Sequence, residues 1–164
     1  MRSLLATALL TLAIVGCGGE EEETTTPAPS GGDPLVTYSR SGGFAPIYEG
    51  LVIEADGDAT VTTGGFRPQD QEVREVTLDE AELAALEQAV ADADLAGFEP
   101  GTGVCADCYG YEIEAGGATI EFSSVDLDDE FGGVIPESVV DLIGDLNEIV
   151  RANAPRQPGV GIGG

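Results

Sequence analysis

Two glycine-centred turns constrain this chain more than any other feature. Asp56-Gly57 separates the alternating segments 51–55 and 59–63, and Gly116-Gly117 separates 109–115 from 118–123. Asp56-Gly57 is the stronger hairpin signal, because a two-residue type I′ turn needs positive φ at both central positions. Each turn predicts a local hairpin, and local hairpins imply antiparallel pairing. In the second hairpin Tyr111, Ile113, Ile120 and Phe122 share one face. Further strands are expected at 36–40, running into Ser41-Gly42-Gly43-Phe44, and at 72–76.

Helical periodicity takes over twice. Thr77 and Glu80 stand at capping-box spacing, Asp79 is placed to favour a helix start, and Leu83, Leu86, Val90 and Ala93 make one apolar stripe up to about Asp94. Pro136 suits the first turn of a last helix. There Val139, Leu142, Ile143, Leu146, Ile149 and Val150 form a broader stripe that ends near Asn153. The order strands, helix, strands, helix predicts an α+β fold, a small antiparallel sheet with two helices packed on one face.

The flanks of this domain read differently. Arg2 precedes an apolar run over 4–15, shorter than the roughly 20 residues that span a bilayer, and the run ends Ile14-Val15-Gly16-Cys17. That ending resembles the lipobox of bacterial lipoprotein signals. The resemblance implies removal of residues 1–16, acylation of Cys17, and an exported protein held to the cell envelope by lipid. Gly18 follows the cysteine in place of the aspartate associated with inner-membrane retention, so a host with two membranes would carry the protein on its outer membrane. Residues 17–34 combine that cysteine with a Glu-, Thr-, Pro- and Gly-rich tether that has too little apolar surface to fold. One folded domain is expected over 35–154, followed by a flexible Gly/Pro tail at 155–164.

Charge narrows the partners. The chain has 31 acidic residues against 6 basic ones, all arginine, with no His, for a net charge of −25. Such a surface repels nucleic acid and anionic lipid headgroups. It suits either a cationic partner or a salt-rich medium that screens the self-repulsion, and residue types favour the latter.

Few residues can carry chemistry. With Cys17 assigned to lipid, Cys105 and Cys108 remain, and a disulfide accounts for both in an exported protein. Closing so small a loop contributes only about 2 kcal/mol through chain entropy, so its expected task is to fix the loop entering the Tyr109 strand. A redox-active pair is disfavoured because the motif precedes a strand in an acidic neighbourhood, where a low thiol pKa is not expected. A metal site lacks His and a second cysteine pair. Asp126-Leu127-Asp128-Asp129-Glu130 has the alternating carboxylates of a calcium loop, but Phe131 stands where such a loop needs Gly. Without His or Lys, nucleophilic catalysis has little to work with, so no enzyme, cofactor or resident metal is expected.

Ser41-Gly42-Gly43-Phe44 is the sharper signal. The paired glycines let the backbone leave the strand with positive φ and project Phe44 from a loop tip. The competing reading is a strand-ending bulge with Phe44 folded back into the core, and residue types alone favour it.

The segment Tyr38-Ser39-Arg40-Ser41-Gly42-Gly43-Phe44-Ala45 resembles the Arg-Ser-Gly-Gly-Phe-Ala segment of the emfourin family, small proteinaceous inhibitors of protealysin. The later layout is also similar, with an acid-capped middle helix, an aromatic strand at 109–113 and a closing Leu/Ile-rich helix. The likeness spans about 36–152, and only the Ser-Gly-Gly-Phe stretch is specific. This chain departs from the family in carrying Pro46 where Gly is expected, and in adding the Asp56-Gly57 hairpin and the Cys105–Cys108 loop. The resemblance implies a binding module aimed at thermolysin-like zinc proteases, with Ser41, Gly42, Gly43 and Phe44 at the contact and Phe44 as anchor. The alternative is a structural or cation-handling acidic lipoprotein of a salt-adapted bacterium.

Overall fold

The computed structural model describes residues 32–98, 105–127 and 135–154. The signal segment, Cys17, residues 18–31, Asp128 to Phe131 and the 155–164 tail lie outside the described residues. Six strands form one antiparallel sheet: β1 (Val36–Gly42), β2 (Ile47–Ile53), β3 (Asp58–Gly64), β4 (Gln71–Thr77), β5 (Tyr109–Ala115) and β6 (Ala118–Ser123). Their order across the sheet is β4-β3-β2-β1-β5-β6. Two helices, α1 (Glu80–Ala93) and α2 (Glu137–Asn153), complete the expected α+β fold.

Alternation along the strands decides which face the helices cover. Val36, Tyr38, Leu51, Ile53, Ala59, Val61, Tyr111, Ile113, Ala115, Ile120 and Phe122 are all buried, and they join one core with Leu86 and Ala93 of α1 and Val139, Leu142, Ile143, Leu146 and Val150 of α2. On the other face the strands present Thr37, Ser39, Tyr48, Val52, Thr60, Thr62, Glu112 and Glu114. One face is therefore apolar and covered, the other largely polar and open, as antiparallel sheets permit. Within the core the Tyr111 and Phe122 rings stack at 5.1 Å, and the Tyr38 hydroxyl donates to Asn147 Oδ1 of α2 at 2.9 Å.

Three local readings need correction. The Asp56-Gly57 turn is not type I′, because only Gly57 has positive φ (90°). Gly57 N–H donates to Glu54 O and Glu54 N–H to Asp58 O, so the connection is a three-residue loop closed by a glycine bulge. The Gly116-Gly117 turn does have positive φ at both residues, 59° and 78°. The first helix is capped two residues later than the sequence pattern suggests. Asp79 accepts from Ala81 and Glu82 N–H while Glu82 Oε2 accepts from Asp79 N–H, a capping box in which Asp79 replaces Thr77. Thr77 ends β4 and donates its hydroxyl to Asp58 Oδ1. Pro136 is the N-cap of α2, one place before its first turn.

Tyr38 couples the sheet to pH. Burial raises its phenol pKa well above the ordinary value of 10.0, because a phenolate here would lose its water; nearby Arg40 opposes the shift without cancelling it. A folded-state pKa above the unfolded value gives a contribution that is complete below about pH 10 and lost as pH rises further. Denaturation followed between pH 8 and 11.5 should show stability falling above pH 10. Tyr38→Phe should flatten that slope, at a cost of about 1 kcal/mol at neutral pH for the bond to Asn147.

Candidate functional site

The pairing register of β1 builds the site. Gly42, its last residue, stands opposite Ile47 of β2 on one side and Tyr109 of β5 on the other. The β1–β2 connection, residues 43–46, and the loop entering β5, residues 105–108, therefore leave the sheet at the same end. The two motifs that the sequence singled out far apart are in contact. Gly43 N–H donates to Cys108 O at 3.1 Å.

Both glycines are required, for different reasons. Gly42 has φ 108°, and a Cβ there would lie 2.5 Å from Cys108 O. Gly43 has φ 84°, and its Cβ would strike the Tyr109 ring at 2.7 Å. Arg40 lies over the same ring, its guanidinium carbon 4.9 Å from the ring centroid. Arg40 in turn forms an ion pair with Glu49, its direct cross-strand neighbour. Burial works against the Arg40 charge, but Glu49 and the Tyr111 hydroxyl outweigh it and raise the guanidinium pKa above its ordinary value. The loop thus rests on a chain of contacts from Glu49 through Arg40 and Tyr109 to Gly43.

Phe44 is what this base presents. It is 91% exposed, so the competing reading in which it folds back into the core is overturned. The physical reason lies in the two glycines: positive φ at both turns the chain outward before Phe44, and Pro46 precedes the return strand. Ser41 lies within β1 opposite Tyr48 and Gly110, so it belongs to the base rather than the tip. Cys105 and Cys108 stand at disulfide distance, their Cα atoms 5.4 Å apart, within the range that a bridge needs.

The remaining candidate separates from this site. Asp126 of the acidic run is buried, and its Oδ2 accepts from Ser123 N–H (2.8 Å) and Ser123 Oγ–H (3.1 Å). That carboxylate terminates β6 locally. Among the described residues no group of three or more His, Cys, Asp or Glu side chains is arranged to hold a metal ion.

Sequence reasoning missed one residue at this end of the sheet. Phe66, 55% exposed, sits in the β3–β4 loop, and Gly64 at the start of that loop pairs with Tyr48 beside the β1–β2 connection. The signal was present: Thr63-Gly64-Gly65-Phe66-Arg67-Pro68 repeats Ser41-Gly42-Gly43-Phe44-Ala45-Pro46.

Gly42→Ala should lower stability by about 2 kcal/mol or more in denaturant unfolding, since it adds both strain and a clash with a backbone carbonyl. Phe44→Ala should leave the unfolding midpoint unchanged, because its side chain touches little of the fold.

No protein-family model matches this chain, and no curated protein matches it.

Proposed function

We propose that this chain is a non-enzymatic binding module anchored to the bacterial envelope by lipid on Cys17, and that it inhibits thermolysin-like metalloproteases through the β1–β2 loop. The observation that carries the reading is Phe44, 91% exposed on a loop whose backbone is fixed at Gly42 and Gly43. Leaving a phenylalanine in water forgoes roughly 2–3 kcal/mol that burial would supply. A partner that takes up the ring recovers that energy. Because the loop is already ordered, little conformational entropy is lost when it docks.

The class of partner comes from the resemblance of residues 38–45 to emfourin. Thermolysin-like enzymes favour apolar side chains beside the cleaved bond, which suits Phe44. A disulfide between Cys105 and Cys108 would stiffen the loop whose carbonyl holds Gly43. The chain lacks His and Lys, so its part is to occupy a cleft and not to perform chemistry there.

A second reading rests on the helices. Glu82, Asp145 and Glu148 rim one depression between α1 and α2, and Asp92, Glu137 and Asp141 rim another. These carboxylates suit a lipoprotein that handles cations or tolerates salt.

Inhibition assays against a panel of thermolysin-like proteases distinguish the two. The full chain should inhibit at least one member at micromolar concentration or below, and Phe44→Ala should weaken that inhibition at least tenfold. A panel left fully active by micromolar protein discards the inhibitor and favours the second reading.

A further inference from the structure

The repeat noticed at the sheet end is structural as well as sequential. Gly42 is the last residue of β1 and pairs with Tyr109; Gly64 is the last residue of β3 and pairs with Gln71. Each has positive φ, 108° and 144°. In each case a Cβ would collide with the carbonyl oxygen of the residue just before that pairing partner: Cys108 O at 2.5 Å for Gly42, and Asp70 O at 2.1 Å for Gly64. The second glycine then donates its N–H to that same oxygen, Gly43 to Cys108 and Gly65 to Asp70, both at 3.1 Å. A phenylalanine follows in each, exposed by 91% and 55%.

The two loops therefore use one device twice: a strand ends on a glycine pair locked against a neighbouring carbonyl, and the next side chain is thrown outward. The second copy has its own internal brace, since Asp70 N–H donates to Arg67 O and Gln71 Nε2 to Gly65 O. Strands β1 and β3 flank β2, so the two loop bases are two strand spacings apart, about 10 Å. Large exposed apolar groups are scarce among the described residues, namely Phe44, Phe66, Val73 and Val140, and the two aromatic ones share this end.

We propose that Phe66 and Arg67 form a second docking loop for the same partner that takes Phe44, so that the sheet end is a two-pronged protein-binding surface. This rests on the inhibitor reading and deepens it. The partner is a protein with two apolar pockets about 10 Å apart. Beside the second it carries an acidic group, because Arg67 is one of only 6 basic residues in a chain with 31 acidic ones and stands next to the exposed ring. Arg67 supplies locally an attraction for an acidic rim that the net charge of −25 would otherwise repel. A lipid surface fits less well, because the net charge of −25 repels anionic headgroups.

The test is a double-mutant cycle on the full chain against a protease that it inhibits. Phe66→Ala should raise the inhibition constant about tenfold, Arg67→Glu by a similar factor, and Phe44→Ala with Phe66→Ala more than either alone. Thr119→Ala, on β6 at the far edge of the sheet, should leave it unchanged, and all variants should melt with the parent protein. If Phe66→Ala inhibits like the parent while Phe44→Ala does not, the second prong is overturned and the inhibitor reading stands. If the parent inhibits no thermolysin-like protease, both fall. Binding of unlipidated Cys17→Ser chain to phosphatidylcholine vesicles, lost in the Phe44/Phe66 double variant, would overturn the proposal in favour of a lipid surface.

Discussion

The shape of the Phe44 loop depends on the pairing of β1 with β5. The other strand pairs join neighbours in sequence through short turns or loops, and any of them could form as an isolated hairpin. The β1–β5 ladder instead joins the start of the domain to a strand that follows α1, so loop-closure entropy opposes it until the core forms. Burial of Val36, Tyr38 and Ile113, none more than 1% exposed, offsets that cost. Once made, the ladder sets Cys108 against Gly42 and Gly43, and the Phe44 loop acquires its shape.

Much of the fold was legible in residue patterns, and the reasons are physical. The Gly116-Gly117 hairpin and the α2 stripe each obey one period over many residues, and both stand as the sequence predicts. The misreadings fall where two local solutions compete. Asp56-Gly57 fits a type I′ turn, yet Asp56 keeps negative φ and the chain closes through Gly57 alone. Thr77-x-x-Glu80 fits a capping box, but Thr77 is held in β4 by its pairing with Asp58, leaving Asp79 to cap.

The candidate site was half legible. Local chemistry identified Gly42 and Gly43 as positions for positive φ, which the structure shows. Residue types favour Phe44 folded inward, and the structure turns it out, because the stacked Tyr111 and Phe122 rings, with Ile113 and Ile120 beside them, already fill the core. Local chemistry could not bring Cys108 to Gly43, a contact made by sheet register. Arg40 is the instructive case. Nothing in the sequence marks it, yet it is largely buried at the end of the sheet, paired with Glu49 and set over Tyr109.

The direction of β1 has a consequence for orientation. The chain enters this strand at Val36, opposite Ile53 and Ala115, and leaves it at Gly42 beneath the aromatic tips. Seven extended residues at about 3.3 Å each place roughly 20 Å of sheet between entry and exit. If Cys17 carries the proposed lipid, the membrane attachment joins the domain at the Val36 end. The Phe44 and Phe66 tips lie at the opposite end of the sheet, a strand's length from the point of attachment.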